Sequence, residues 1–250
     1  MPVFHGSVYS KSLRMHTGIA VSVPDSYHMP QDDRMPVLYL LHGLCDDHTA
    51  WTVKSNAARY AEQAGIALVM PEVQRSFYTD MKYGPRYFTY VADELPALMA
   101  QWFRIESDPQ RTYIAGLSMG GYGALKIALR RPQRYAAVGC FSGCVDLRSM
   151  IQQPSSEMSP EEMFGINGGT MEPEDDIFLL TAGAAKEHTP LPSIYLTCGL
   201  SDPLHEQNAR LRKQLDFLKL PYVYEEWAGA HEWNFWDRSI RQFLQFIAGK

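Results

Sequence analysis

The sequence predicts an α/β fold, in which a mostly parallel, twisted sheet carries helices on both faces. Short apolar segments alternate with segments of helical periodicity along most of the 250 residues, which is the pattern of βαβ units. The run at residues 36–41 is too continuously apolar for a half-exposed strand, so a buried parallel strand is expected there. No linker or internal repeat interrupts the pattern, and a single domain spanning residues 1–250 is therefore expected.

The expected elements follow one another in a regular order. Alternating polar and apolar residues near the N-terminus predict an antiparallel edge at residues 8–9 and 15–23. The apolar runs predict further strands, one that ends at His42 and others at 66–70, 113–115, 136–141, 194–198 and 222–227. The helical periodicity predicts helices at about 52–63, 94–103, 122–130 and 204–218, with a last one that includes Trp236 and Ile247.

Residues of about 146–190 break this alternation. The stretch holds several methionines among proline, glycine and acidic residues, and it is inserted between two strands whose ends should lie near the site. We expect a small cap there whose methionines contact substrate, because methionine adapts to varied apolar groups. The alternative is a surface excursion whose methionines fill only its own small core.

A glycine-flanked serine gives the strongest functional signal. The sequence Gly116-Leu-Ser118-Met-Gly120 follows a strand-like run and opens a helix-like segment. This strand–turn–helix context is that of a nucleophile elbow, in which the residues two before and two after the serine must nearly lack a side chain. Ser118 is therefore the predicted nucleophile, and its hydroxyl should project near the positive end of the helix dipole.

A serine hydroxyl is a weak nucleophile until a base removes its proton. Three histidines follow Ser118, and His231 is favoured because its small-residue loop lies between the last strand and the last helix. His188 sits in a polar loop that is typical of the surface. His205 lies only three residues after the candidate acid, near the start of a helix.

The acid that orients this base is expected directly after the strand at residues 194–198. Asp202 is the favoured residue, although an aspartate before a proline at a helix start is also a common cap. Asp146 is the second choice because it too ends a strand, and Glu226 and Glu232 are further competitors.

An oxyanion hole is expected in the loop after the strand that ends at His42. Backbone N–H groups of Leu44 in this loop and of Met119 after the nucleophile should face the developing negative charge. The loop also holds a cysteine, two histidines and two aspartates that lack the spacing of a zinc site, so no metal or other cofactor is expected: His42, Cys45, Asp46, Asp47 and His48.

Taken together, these motifs resemble those of the tributyrin esterase group, short bacterial serine esterases related to esterase D and the S-formylglutathione hydrolases. The resemblance spans nearly the whole chain, and its motifs include Gly116-Leu-Ser-Met-Gly-Gly121-Tyr-Gly123, Gly229-Ala-His-Glu-Trp233, and His42-Gly-Leu followed by Trp51. It implies an α/β-hydrolase fold, cleavage of short-chain acyl esters, and Ser118, Asp202 and His231 as the catalytic triad. S-formylglutathione hydrolases carry Leu-Thr-Cys after the oxyanion glycine, whereas Cys45 here follows Leu44 directly.

The predicted function is that of a serine carboxylesterase for acetyl to butyryl esters, with acetylated or acylated carbohydrates among the candidate substrates. The alternatives are a thioesterase of the S-formylglutathione hydrolase type, an acyltransferase and, outside enzymes, a hydrolase-fold binding module. Five aromatic residues occur near predicted strand ends and are candidates for the wall of the acyl pocket: Trp51, Phe77, Tyr78, Trp233 and Trp236. The sequence does not separate them from ordinary core aromatics, and Trp51 and Trp233 are the two chosen as substrate-binding residues.

Charge and composition exclude several classes of partner. A net charge of −5, with no basic cluster beyond Arg130-Arg131, argues against nucleic acid. The chain shows no apolar run of membrane-spanning length and no signal-peptide pattern, so we expect a cytoplasmic enzyme with a small-molecule ester substrate and no membrane partner. Cys140, Cys144 and Cys198 should be buried free thiols, and Cys45 is a candidate exposed thiol at the site.

Overall fold

The computed structural model describes residues 1–25, 34–105, 108–152, 160 and 171–249. Within these residues one sheet has eight strands: β1 Val3–Ser10, β2 Met15–Ser22, β3 Val37–Leu41, β4 Ala67–Pro71, β5 Thr112–Leu117, β6 Ala137–Phe141, β7 Ser193–Gly199 and β8 Tyr222–Trp227. Their order is β1-β2-β4-β3-β5-β6-β7-β8. The β1–β2 and β2–β4 pairs are antiparallel and the remaining pairs are parallel, which confirms the predicted antiparallel edge on a mostly parallel sheet.

The helices alternate with the strands as the sequence predicts. In the described ranges, the helices of five residues or more are α1 Ala50–Lys54, α2 Ala57–Ala64, α3 Leu95–Trp102, α4 Met119–Arg130, α5 Leu147–Gln152, α6 Ile177–Glu187, α7 His205–Leu218 and α8 Trp233–Ala248. A π-helical turn, Tyr90–Glu94, leads into α3. No helix in the described ranges combines the length and the apolar character that crossing a bilayer would require.

One helix differs from its prediction. The single helix expected at 52–63 is two helices, because Ser55 is extended between them, with φ −141° and ψ 173°. The Ser55 hydroxyl accepts a hydrogen bond from the Ala57 N–H at 3.2 Å. Serine side chains compete in this way for backbone groups and favour helix starts over helix interiors.

The sheet separates two hydrophobic cores, because alternate strand residues point to opposite faces. Leu38 and Leu40 of β3 belong to the core that α2 and α8 cover. Tyr39 and Leu41 belong to the core that α3, α4 and α7 cover. All five residues of β3 are buried, as expected for a strand with helices on both faces.

The register of the parallel strands brings four loops to one edge of the sheet. Leu41 pairs with Gly116, Leu117 with Phe141, and Phe141 with Thr197. Gly199 pairs with Trp227 at the ends of β7 and β8. The loops after β3, β5, β7 and β8 therefore leave the sheet side by side, where open α/β sheets bind their ligands.

The described part of the predicted cap region includes two helices, α5 and α6. Helix α6 lies between β6 and β7 and packs against α4 and α7, so residues 177–187 form the crossover helix of a βαβ unit. Helix α5 forms the start of the region. Residues 153–159 and 161–170, the middle of the predicted cap, lie outside the described residues, and the cap stays a prediction.

Candidate active site

Ser118 lies in the sharp turn between β5 and α4. Its backbone has φ 53° and ψ −117°, a conformation that costs a non-glycine residue about 1–3 kcal/mol. Three hydrogen bonds hold the turn: the Ser118 N–H donates to the Phe141 carbonyl at 2.9 Å, and the Ser118 carbonyl accepts from the N–H groups of Tyr122 and Cys144, both at 3.1 Å. The strained turn is therefore fixed from both α4 and the end of β6.

The glycines on either side of the turn have the steric role that the sequence predicts. A Cβ atom at Gly116 would lie 2.5 Å from the backbone carbonyl of Gly120. A Cβ atom at Gly120 would lie 2.5 Å from the carbonyl oxygen of Leu41 in β3. Both positions lack room for any side chain, because the elbow presses directly on the neighbouring strand.

Ser118, His231 and Asp202 form a continuous hydrogen-bonded chain. His231 Nε2 lies 2.9 Å from Ser118 Oγ. His231 Nδ1 lies 2.9 Å from Oδ2 and 3.1 Å from Oδ1 of Asp202. With the proton on Nδ1, the imidazole donates to the carboxylate and leaves Nε2 free to accept the serine proton, which is the arrangement of a general base.

The Asp202 carboxylate is buried and remains ionised. Burial alone would raise the pKa of this carboxyl. The hydrogen bond and charge of His231, together with the Leu204 N–H, lower it by more than burial raises it, so the pKa lies below its usual range. The Leu204 N–H donates to Oδ1 at 2.8 Å. A fixed negative charge therefore lies behind the imidazole.

Two backbone hydrogen bonds hold the acid loop beside the histidine loop. The Leu200 N–H donates to the Trp227 carbonyl at 3.1 Å, and the Ser201 N–H donates to the Gly229 carbonyl at 3.0 Å. The loops that carry Asp202 and His231 are thus joined directly beyond the ends of β7 and β8.

Two of the competing acids and one of the competing histidines have other partners, and the other competing histidine is exposed. Asp146 forms an ion pair with Arg210 of α7. Glu226 lies 3.1 Å from His205 Nε2, and His188 is exposed at the C-terminal end of α6. The structure therefore joins to Ser118 the two partners that the sequence analysis favoured.

A cavity of about 250 Å³ opens beside the Ser118 hydroxyl. Leu44 and Met119, whose N–H groups are the predicted oxyanion donors, both border it. Most of its remaining lining is apolar and comes from segments far apart in sequence, including Phe77, Met150, Leu204 and Trp236. Trp236 also packs edge-on against the His231 ring at 4.8 Å between centroids.

The two tryptophans predicted to bind substrate do not border this cavity. Trp51 is buried below the site, where its indole N–H donates to the Leu41 carbonyl at 3.0 Å. Trp233 packs edge-on against Trp51, with ring centroids 5.1 Å apart. Trp236, one helical turn further along α8, lines the cavity instead. The side of α8 that faces the serine depends on tertiary packing, which residue type alone does not reveal.

His42 has a structural role that the sequence analysis missed. It is fully buried, and burial lowers its pKa, which keeps the ring neutral. Its Nδ1 lies 2.7 Å from the Gly43 carbonyl, and its Nε2 accepts a hydrogen bond from the Val73 N–H at 3.1 Å. The ring therefore fixes the start of the loop that carries Leu44. The sequence held one signal of this role, which is a histidine at the end of a predicted buried strand.

Three side chains outside the cavity bring potential metal ligands together. Donor atoms of Asp47, His48 and Glu72 all lie within 4.8 Å of one another. Their carboxylates already accept hydrogen bonds within the loops: Asp47 from the Thr49 N–H and hydroxyl, and Glu72 from the N–H groups of His48 and Gln74. These bonds explain the cluster as a loop structure, and we assign no metal to it.

The thiols follow the sequence prediction. Cys140, Cys144 and Cys198 are buried free thiols, and Cys45 is exposed. Burial raises the pKa of Cys144 to about 12 and that of Cys198 to about 12, so both stay protonated. Cys45 and Cys144 border the cavity.

Comparison with known proteins places this chain in a family. The model of the Esterase family matches residues 10–247. An acetyl esterase of Caldicellulosiruptor saccharolyticus is 28% identical over 265 residues, covering 99% of this chain and 98% of that protein.

Two solved structures from Staphylococcus aureus share the whole fold. The fluorophosphonate-binding serine hydrolase FphF superposes with a TM-score of 0.93 at 27% identity, covering 100% of this chain and 99% of the other. The S-formylglutathione hydrolase FrmB superposes with a TM-score of 0.88 at 27% identity, covering 99% of this chain and 100% of the other. The chain therefore belongs to the Esterase family and is a serine carboxylic ester hydrolase of the α/β-hydrolase fold, similar to the S-formylglutathione hydrolase-like esterases.

Proposed function

We propose that this enzyme hydrolyses acetyl to butyryl esters of small alcohols, including acylated carbohydrates, through an acyl-enzyme on Ser118. The observation that carries the proposal is the continuous Ser118–His231–Asp202 hydrogen-bond chain beside a small apolar cavity. A cytoplasmic setting belongs to the same proposal, because four free thiols suit a reducing compartment.

Each residue of the chain has one role in the first half-reaction. His231 Nε2 takes the proton of Ser118 Oγ as the oxygen attacks the ester carbonyl. The Asp202 carboxylate keeps the proton on Nδ1 and stabilises the imidazolium that forms. The N–H groups of Leu44 and Met119 stabilise the tetrahedral oxyanion. His231 then gives its proton to the departing alcohol.

The second half-reaction repeats these steps with water. His231 removes a proton from the water that attacks the acyl-enzyme, and the oxyanion forms again at the same N–H groups. Collapse of this intermediate breaks the bond to Ser118 Oγ and releases the carboxylic acid. The serine regains its proton from His231.

The cavity supports a small substrate. Its volume of about 250 Å³ lies below the range of about 300–1,000 Å³ that is typical of pockets for drug-sized ligands. Apolar side chains such as Phe77 and Trp236 border it, which suits an uncharged acyl chain. The acetyl esterase relative is consistent with a short acyl group.

Thioester hydrolysis is the second candidate. The likeness to an S-formylglutathione hydrolase over 99% of this chain favours it, and the same triad chemistry cleaves a thioester. The sequence favours the oxygen ester, because Cys45 directly follows Leu44 where the thioesterases have an intervening threonine.

A paired assay tests these alternatives. We expect kcat/KM for p-nitrophenyl esters to be highest from acetate to butyrate and to fall steeply at longer chains, since each methylene changes discrimination by about 1–3 kcal/mol. An acyl-glutathione is assayed in parallel, with Ser118→Ala as the blank. A maximum at octanoate or beyond would refute the short-chain proposal, and a higher kcat/KM for the thioester would favour the second candidate.

A further inference from the structure

A lysine is buried in the helix that starts at the nucleophile. Lys126 lies two turns beyond Ser118 in α4, and its side chain has no exposed surface. Lysine is rarely buried completely, because removing an ammonium from water is costly unless it is paired and hydrogen-bonded. The triad mechanism does not use this group, so its burial calls for another explanation.

The ammonium has a partner for each of its three protons. Lys126 Nζ donates to Thr79 Oγ1 at 2.7 Å, to Asp175 Oδ1 at 3.0 Å and to the Phe77 carbonyl at 3.1 Å. It also lies 4.8 Å from the centroid of the Tyr122 ring, a distance at which a cation is attracted to an aromatic face. One charge thus joins α4 to two segments that are distant in sequence.

The first of these segments forms part of the substrate cavity. Phe77 borders the cavity and packs edge-on against Tyr122, with centroids 6.0 Å apart. Phe77 has φ 50° and Tyr78 has φ 52°, a left-handed conformation that is unfavourable for aromatic residues. The surroundings must hold such a segment in place, and the bond from Lys126 to the Phe77 carbonyl acts directly at the strained residue.

The second segment leads into α6. Asp175 is buried at the end of the turn Pro173–Asp175, and its carbonyl accepts a hydrogen bond from the Tyr122 hydroxyl at 2.7 Å. Its carboxylate provides the negative charge that Lys126 needs. The pair therefore ties the cavity wall and the start of α6 to the same turn of α4.

We propose that Lys126 is a positioning residue that sets the size of the substrate group the cavity accepts, by holding the Phe77 wall against α4. This role rests on the proposed ester hydrolysis at Ser118. It differs from a purely structural role, because it makes selectivity among substrates depend on the charge of one buried side chain.

The charge of Lys126 can be changed experimentally by a change of pH. Burial is the main cause that lowers the pKa of this lysine to about 8. The positive charge of Arg130 on the same helix lowers the pKa as well, whereas the negative charges of Asp175 and Asp80 raise it. A neutral amine keeps only two N–H donors for these three acceptors, and it loses its charge attraction to Asp175 and to the Tyr122 ring. Raising the pH through about 8 therefore weakens the anchor of the Phe77 wall without a mutation.

Three variants test the role at neutral pH. Lys126→Met removes the charge and keeps the length of the side chain, and Asp175→Asn removes the paired charge and keeps an acceptor. Lys186→Met is the matched control, because Lys186 is exposed on α6. For each variant, kcat/KM is measured along a p-nitrophenyl acyl series and along acetate esters of alcohols of increasing size.

We expect Lys126→Met to change the ratio of kcat/KM between the longest and shortest members of one series by about tenfold or more. Fluorophosphonate labelling should still reach one site per chain, and Lys186→Met should keep the wild-type ratios. A folded Lys126→Met protein with wild-type ratios in both series would overturn the proposal.

The pH dependence of the wild type provides a measurement that does not depend on how well a variant folds. We expect its selectivity ratio to change with a midpoint near 8 and that of Asp175→Asn to change at lower pH, because the ammonium loses its stabilising charge. A wild-type ratio that stays constant between about pH 6.5 and 9.5 would overturn the proposal. Ester turnover that persists in that case leaves the proposed function standing, whereas loss of all wild-type turnover would refute both.

Discussion

The reacting half of the site and the cavity wall are built differently. Ser118, Asp202 and His231 come from the loops that follow β5, β7 and β8 of one sheet, and direct hydrogen bonds join Ser118 to His231 and His231 to Asp202. The wall, which includes Phe77 and Met150, combines segments that follow β4 and β6 with parts of the triad loops.

Under the proposed mechanism, this difference separates the residues that carry the chemistry from those that determine substrate selectivity. The triad depends on the register of parallel strands, which the core fixes tightly. The wall depends on side chains whose positions follow from long-range contacts, such as those of Lys126. Mutations in the first region should therefore abolish turnover of every ester, and mutations in the second should redistribute turnover among esters.

The largest effect is expected at the nucleophile. Ser118→Ala should lower kcat by on the order of 10⁴ to 10⁶ for every ester, because Ser118 is the proposed nucleophile that forms the acyl-enzyme. Its melting temperature should stay near that of the wild type, since the alanine retains the Cβ and the backbone of the elbow. Equal losses across acyl chain lengths are the outcome that separates this change from a change in the wall.

The acid should have the next largest effect. Asp202→Asn should lower kcat by on the order of 10⁴, because the amide no longer fixes the proton on His231 Nδ1. Asp146→Asn is the matched control and should retain nearly full activity, since Asp146 is paired with Arg210 instead. If Asp146→Asn were the damaging change and Asp202→Asn the mild one, the acid would be misassigned.

A smaller and selective effect is expected at the wall. Met150→Ala should enlarge the cavity and improve kcat/KM for longer acyl or alcohol groups relative to the shortest ester by about tenfold. Met150→Leu conserves the volume and should stay close to the wild type. A uniform loss across all esters in Met150→Ala would contradict the separation between the two regions.

The same division explains what could be predicted from the sequence. The elbow at Ser118 is a local motif, and His231 and Asp202 follow from strand order, so their positions could be anticipated before their contacts were known. Trp236 was not chosen over Trp233, because the face of α8 that meets the serine depends on packing. Likewise, the break between α1 and α2 depends on the Ser55 hydroxyl, which accepts a hydrogen bond from a backbone N–H at the start of α2. Hydrophobic periodicity does not reveal such a bond.

The central claim is that Ser118 forms the covalent intermediate. Mass spectrometry of the intact enzyme after fluorophosphonate treatment, followed by peptide mapping, tests it most directly. We expect one adduct per wild-type chain, located on Ser118, with loss of ester turnover in proportion to labelling, and no adduct on Ser118→Ala. Full labelling of Ser118→Ala, or an adduct elsewhere on the wild type that accounts for the lost activity, would contradict the account.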